Sequence, residues 1–193
     1  IIMRNWRYTM SSADEKKEFM KKVTIYIDTR EQQNKHITDI LSNLGIMFRA
    51  QKLDFGDYSF SIDGKDFSRS CIVERKANID EVYGNITADR ERIEKELDTI
   101  SRNANQCTFL LEKCSGWESL KGYEIPEAQA EKQGRKVRNI GKTVYSTLQS
   151  WKCGNRYSFT VEFVPDNART ALKILEIFYW YYHNYKKQTA PRK

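Results

Sequence analysis

Glu74 and Lys76 stand two residues apart in the run Cys71-Ile72-Val73-Glu74-Arg75-Lys76-Ala77, and a further acid, Asp80, follows closely. The apolar, β-prone lead of Cys71, Ile72 and Val73 predicts a strand, from which Glu74 and Lys76 leave by one face and Arg75 by the other. Upstream, Phe55-Gly56-Asp57-Tyr58 offers another carboxylate after a glycine that lets the backbone turn sharply. Acids beside an ammonium group suit hydrolysis of a phosphodiester. That reaction needs charge neutralisation in the transition state, an activated water and stabilisation of the leaving oxygen, which one or two divalent ions held by carboxylates supply together. Hard oxygen ligands favour magnesium or manganese. On this reading Asp57 and Glu74 are the principal ligands, and Lys76 orients the attacking water or helps to deprotonate it. Asp28 and Asp80 complete the acidic cluster directly or through water. An isolated Glu-x-Lys triplet carries little weight, since most are exposed salt pairs worth under ~1 kcal/mol. The weight comes from several such pieces in order along one chain.

These side chains need a sheet to bring them together. Val23–Ile27 is a β-branched run halted by Asp28-Thr29-Arg30-Glu31, the pattern of a buried strand that delivers a carboxylate at its end. A helix follows, with Ile37, Ile40, Leu41 and Leu44 at helical spacing and Gly45 as its stop. Ile46–Leu53, Asp57–Ile62 and Ser70–Glu74 read as successive strands of an antiparallel meander, with Asp63-Gly64 as a hairpin turn. From Ile79 the spacing is helical through Val82, Ile86, Ile93, Leu97 and Ile100, until Thr108–Leu111 supplies a second buried strand that also ends in an acid, Glu112. Residues 113–142 lose periodicity and read as a long loop or irregular insertion with a basic cluster of Lys132, Arg135, Lys136, Arg138 and Lys142. A short helix around Thr143–Trp151, a strand at Tyr157–Phe163 and a last helix from the N-cap Asp166 to about Tyr185 complete the pattern. Residues 1–22 read as an N-terminal arm, with Asp14–Lys22 a short helix or loose run, and residues 23–193 as one folded domain.

Lys plus Arg outnumber Asp plus Glu by 33 to 26, and the formal charge of +7 favours a polyanionic partner such as nucleic acid. The four cysteines are scattered, with no C-x-x-C pair, so neither a zinc site nor a disulfide framework is indicated and reduced thiols are expected. An intracellular setting follows: cytoplasm or nucleoid for a prokaryotic or viral protein, nucleus for a eukaryotic one. No apolar run approaches the ~20 residues needed to cross a bilayer, so no membrane partner is expected. His36 and His183 are solitary and lack partners for a triad or a ligand set.

The ordered set resembles the nuclease domain of the XPF-type (ERCC4-domain) structure-specific endonucleases. Their mark is G-D followed after a strand by E-R-K-x-x-x-D, carried here by Gly56, Asp57, Glu74, Arg75, Lys76 and Asp80. The similarity runs from about Val23 to Tyr185. Asp89-Arg90-Glu91-Arg92 falls where the family places a basic helix, and Phe109–Glu112 where it has an apolar strand closed by glutamate. The resemblance implies an α/β, restriction-endonuclease-like PD-(D/E)XK fold, with a mixed central sheet flanked by helices. It implies cleavage of branched, flap or junction DNA with Mg2+ or Mn2+ during repair or recombination. Asp28, Asp57, Glu74, Lys76 and Asp80 would be catalytic or metal-binding, Glu31 an outer ligand, and Arg30, Arg75, Arg90 and Arg92 would support the site or contact DNA.

It further implies a homodimer through the C-terminal helix 166–185. That helix carries one apolar stripe of Ala171, Leu175, Phe178 and Tyr182 and another of Ile174, Ile177 and Tyr181, more than one surface contact requires. A helix sandwiched in the core is the favoured explanation of the two stripes, and contact with a second protomer is the other. The helix-hairpin-helix module that many relatives carry is not seen after Tyr185, and the 113–142 segment is longer than the family's usual connection. Lys132, Arg135, Lys136 and Arg138 could track phosphates or belong to a solvated loop. Trp117 and Tyr123 are expected to pack that loop onto the domain, with stacking on unpaired bases as the alternative. Two other functions fit the composition: a nuclease on ordinary duplex DNA, and a catalytically silent DNA-binding or scaffold subunit. The intact acids argue against the second, because acids near a phosphate weaken binding unless a cation neutralises them.

Overall fold

The structure, a computed structural model, describes residues 12–132, 134 and 138–189, with Ser12 described by its backbone only. Strand β1 (Val23–Ile27) is largely buried, as its Val, Ile and Tyr content requires. It is entered from helix α1 (Ser12–Lys22), whose Phe19 packs edge-on against Phe60 and Tyr179. Helix α2 (Lys35–Asn43) buries Ile37 and Leu41 and leads to strand β2 (Met47–Ala50).

β2 lies parallel to β1, with Ile25 opposite Phe48, at the outer edge of the sheet. This corrects the meander expected across residues 46–74: a helix between two strands carries the chain back to the same end of the sheet and so imposes parallel pairing. Antiparallel order starts with β3 (Tyr58–Ile62), which pairs with β1 and, across Asp63-Gly64, with the short β4 (Lys65–Asp66). Asp63 (φ 49) and Gly64 (φ 76) are both left-handed, the conformation that matches a two-residue hairpin to the twist of its strands. β5 (Cys71–Lys76) runs antiparallel to β3 and parallel to β6 (Gln106–Glu112), which in turn is parallel to β7 (Thr160–Val164). The sheet order is β2-β1-β3-β5-β6-β7, with β4 beside β3.

The helical stretch after Ile79 divides into α3 (Ile79–Thr87) and α4 (Arg90–Asn103). Residues 113–142, expected as a long loop or irregular insertion, contain α5 (Trp117–Lys121) and α6 (Glu127–Lys132) and bury Leu120, Ile125, Ala130 and Ile140. Those apolar positions follow no helical period, and it is their packing on the domain that fixes them. α7 (Gly141–Cys153) precedes β7, and a 3-10 turn capped by Asp166 leads into α8 (Thr170–Thr189).

The sheet has a core on each face. α1, α2 and α8 cover Ile25, Phe60, Val73 and Leu110, while α3, α4 and α7 cover Ile72, Phe109 and Leu111. Both apolar stripes of α8 contribute to the first core, through Ala171, Leu175 and Phe178 and through Ile174 and Ile177. Among the described residues no helix is long and apolar enough to cross a membrane.

Candidate active site

Strand alternation sorts the Glu-Arg-Lys run. Cys71 and Val73 belong to the core under α8 and Ile72 to the core under α3 and α4, so a period of two sends Glu74 and Lys76 toward α3 and α4 and Arg75 toward α2 and α8. The contacts follow this division.

Gly56 turns the chain ahead of Asp57 with φ +75, and a Cβ there would meet the Ile72 side chain at 3.2 Å. The turn seats the Asp57 N–H on the Val73 carbonyl at 2.9 Å, and Asp57 Oδ2 accepts the Arg75 N–H at 2.7 Å. Asp57 is thereby locked to the strand that carries Glu74. Lys76 Nζ donates to Glu74 Oε1 at 2.7 Å, with the two side chains only 7% and 6% exposed. Glu74 Oε2 is buried and has no hydrogen-bond partner. From the first turn of α3, Glu81 Oε1 stands 3.7 Å from Lys76 Nζ, while Glu81 Oε2 accepts the Ala77 N–H at 2.8 Å. Asn78 caps that helix by accepting the Glu81 N–H at 2.9 Å. Sequence reasoning missed Glu81, although Asn78-x-x-Glu81 is a capping pattern that could have revealed it.

Burial and the negative charge of Glu74 push the Asp57 carboxyl well above the usual carboxylate range, against the pull of Lys76 and of the Arg75 N–H. Burial opposes the charge on Lys76, yet Glu74 and Asp57 outweigh it, raise its pKa and hold it as an ammonium. Glu96 on α4, also missed in the sequence, is pushed up by burial and by the charge of Glu74. Acids crowded around one ammonium, with one acceptor left over, are the situation in which a cation is favoured.

The structure places Asp28 and Asp80 differently from Asp57 and Glu74. Asp28 Oδ1 accepts the Arg30 N–H at 2.8 Å and Arg30 Nε at 2.6 Å, and Asp28 Oδ2 accepts the Leu53 N–H at 2.7 Å. Burial raises its pKa, but these bonds prevail and lower it. With the Asp28 N–H on the Asp57 carbonyl at 2.8 Å, Asp28 ties the 51–57 loop to the end of β1. Asp80, on α3, accepts from the inserted segment: Tyr123 Oη donates to Oδ2 at 2.6 Å and Gln129 Nε2 to Oδ1 at 3.4 Å. Among the described residues no group of three or more His, Cys, Asp or Glu side chains is arranged to hold a metal ion. Glu74 Oε2, buried and without a hydrogen-bond partner, is an acceptor of the hard kind that a divalent cation would satisfy.

Arg75 is a brace. Its side chain is 5% exposed, Nη2 meets Glu31 Oε1 at 3.1 Å and Nη1 meets Glu112 Oε2 at 2.8 Å. Glu112 Oε1 accepts from Thr170 at 2.6 Å and lies 2.8 Å from His36 Nε2, so the network joins β5 to α2, β6 and α8. His36, solitary in the sequence, thus has a buried acid beside it, and His183 Nδ1 lies 3.0 Å from Glu15. Glu31 serves Arg75 in this network. The Arg30 guanidinium is 64% exposed beyond its contact with Asp28. Arg90 and Arg92 project from α4, paired with Glu94 at 2.9 Å and Glu96 at 3.3 Å. Lys132 is exposed at the end of α6, and Arg138 donates to the Ile125 carbonyl at 3.2 Å. Arg135 and Lys136 lie outside the described residues. Trp117 packs edge-on against Tyr145 and Phe163, as expected of an aromatic that seats the segment on the domain.

The fold has counterparts among known proteins. The ERCC4 domain family model matches residues 27–175. Among solved structures, XPF from Aeropyrum pernix superposes with a TM-score of 0.58 at 18% identity, over 86% of this chain and 68% of that one. XPF from Aeropyrum pernix in complex with DNA superposes with a TM-score of 0.56 at 19% identity, over 88% of this chain and 68% of that one. At such identities the likeness establishes the fold, an α/β architecture of the XPF and restriction-endonuclease-like kind. No curated protein matches the sequence.

Proposed function

The chain belongs to the ERCC4-domain nuclease family, whose members generally use a divalent metal, and on that premise we propose that it is a Mg2+- or Mn2+-dependent endodeoxyribonuclease. The observation that carries this reading is the partnerless, buried Glu74 Oε2 beside Asp57 and Lys76. Leaving a buried polar atom unsatisfied costs about 1–3 kcal/mol, more for a charged one. Asp57 and Glu74 are the residues that would hold the ion, and two acids suffice, because magnesium keeps several waters and accepts substrate phosphate oxygens as further ligands. When bound, it supplies charge neutralisation and lowers the pKa of water.

The chain's own residues do the rest. Lys76, held as an ammonium, orients the incoming water and the scissile phosphate and stabilises the charge that develops on the phosphate oxygens. A lysine with a raised pKa is a poor proton acceptor, so the orienting role is favoured over deprotonation. Asp28 positions the Asp57 loop, and Arg75 with Glu31 braces the strand that presents Glu74 and Lys76. Arg30, Arg90 and Arg92 are the exposed guanidiniums assigned to the DNA backbone, with Lys132, Arg135, Lys136 and Arg138 as further basic residues. The substrate class is branched, flap or junction DNA handled inside the cell in repair or recombination, and the DNA-bound relative supports DNA as the partner. Leu172 and Trp180, 49% and 50% exposed on α8, line clefts of about 560 and 580 Å³ beside β7 and support a homodimer through this helix.

The test is incubation of the purified chain with forked, flapped, four-way and linear duplexes in Mn2+ and in Ca2+. Cleavage of the branched substrates in Mn2+ is expected. Preference for the linear duplex would reassign the substrate, and no cleavage of any form would leave the silent-subunit reading in its place.

A further inference from the structure

Asp80 closes the E-R-K-x-x-x-D pattern, yet its carboxylate is engaged by the segment between β6 and α7. Tyr123 Oη donates to Oδ2 at 2.6 Å, the short distance of a charge-assisted hydrogen bond, and Gln129 reaches Oδ1 at 3.4 Å. The segment around these donors is tightly seated. Leu120, Ile125 and Ala130 lie in the core under α3, α4 and α7. The Gly141 N–H donates to the Tyr123 carbonyl at 3.1 Å, and a Cβ on Gly141 would fall 2.1 Å from the Leu120 carbonyl oxygen, so only glycine lets the segment approach the start of α7 so closely. Ile125 and Arg138 close the loop through an N–H to carbonyl bond of 2.9 Å. Asp80 meanwhile sits in the first turn of α3, one residue before the Glu81 that faces Lys76.

We propose that Asp80 is the docking anchor of the inserted segment rather than a ligand of the ion, and that Tyr123 is the positioning residue that fixes it. The anchor joins the segment to the helix turn that presents Glu81 to Lys76, so the hydroxyl of Tyr123 reaches that turn through Asp80. This inference departs from the role that the family pattern assigns to the last acid. It deepens the proposed function by removing Asp80 from the ion's protein ligands.

The experiment uses the full chain and three variants, Tyr123→Phe, Asp80→Ala and the double variant. Amide exchange over residues 117–132 and Mn2+ affinity by calorimetry are the readouts. Each single variant is expected to speed exchange over 117–132 about tenfold, as loss of a hydrogen bond that resists local opening does. Tyr123→Phe should add nothing in the Asp80→Ala background, because a hydroxyl that acts through Asp80 has no effect once Asp80 is gone. Mn2+ affinity should stay within twofold of the parent in all three. Unchanged exchange in Tyr123→Phe, additive effects in the double variant, or a tenfold loss of Mn2+ affinity in Asp80→Ala would each overturn the anchor. If the parent chain itself bound no Mn2+, the nuclease reading would fail, while the exchange cycle would still decide the anchor.

Discussion

Lys76 donates to Glu74 Oε1 at 2.7 Å, and the second oxygen of the same carboxylate is buried without a partner. The ammonium satisfies one oxygen of the carboxylate and leaves the other as an acceptor that a cation would satisfy. Replacing Lys76 by alanine leaves Glu74 buried without its positive neighbour, a change that in buried ion pairs destabilises by about 3–5 kcal/mol. Urea unfolding of Lys76→Ala should show a loss of that order, with part of it recovered in Mn2+. Turnover should fall far more than DNA affinity measured in Ca2+. Loss of both to the same degree would mean that Lys76 serves binding alone.

Asp57 yields a pH prediction. Its carboxyl is raised by burial and by Glu74, so between the unfolded and folded pKa values the folded chain binds the extra proton. Stability due to this group is greatest at low pH and falls as pH rises through the folded value. Asp57→Asn removes that loss. Without metal at pH 8, its Tm should exceed the parent's by about 2–4 °C for each kcal/mol gained. The difference should shrink toward pH 4, near the unfolded carboxylate value of about 3.9. Added Mg2+ should raise the parent's Tm and leave the variant's unchanged. Thermal melts at both pH values, with and without Mg2+, check all three parts.

Gly56 sets the direction of Asp57 through a left-handed backbone and a 3.2 Å approach to Ile72. Gly56→Ala should cost about 1–2 kcal/mol for the backbone alone, read as a lower urea midpoint. Cleavage should drop at least tenfold even where the variant is fully folded, because Asp57 Oδ2 can no longer meet the Arg75 N–H in register. Parental activity in the folded variant would show that the carboxylate tolerates displacement.

Arg75 separates support from DNA contact. Its guanidinium is buried between Glu31 and Glu112, which predicts that Arg75→Met destabilises by about 3–5 kcal/mol by taking the shared cation away from two buried acids. DNA affinity in Ca2+, measured below the melting range, should be unchanged, and so should its salt slope. A shallower slope would place Arg75 at the DNA backbone.

Much of this site was legible in the sequence because strand alternation is a local rule. It put Glu74 and Lys76 on one face and Arg75 on the other, and Gly56 announced the turn before Asp57. β1, α2, β6 and α8 were legible for the same reason, each having a clear period or a β-branched run. The parallel partner of β1 was not, since pairing depends on where the α2 crossover returns the chain. Neither was the engagement of Asp28 by Arg30 and Leu53, or of Asp80 by Tyr123. Those bonds join residues 2, 25 and 43 positions apart, and the spacing of residue types does not show which side chains a folded carboxylate accepts from. The helices and buried positions inside the 113–142 segment were not legible because Leu120, Ile125, Ala130 and Ile140 follow no period, and α5 and α6 are too short to announce themselves.

The central claim is that Asp57 and Glu74 share one divalent cation, and anomalous diffraction from Mn2+-soaked crystals tests it most directly. The account predicts a single strong peak about 2.1 Å from Glu74 Oε2 and from an Asp57 oxygen, absent in Glu74→Gln. Soaked crystals with manganese bound elsewhere, or with none between those two carboxylates, would contradict it.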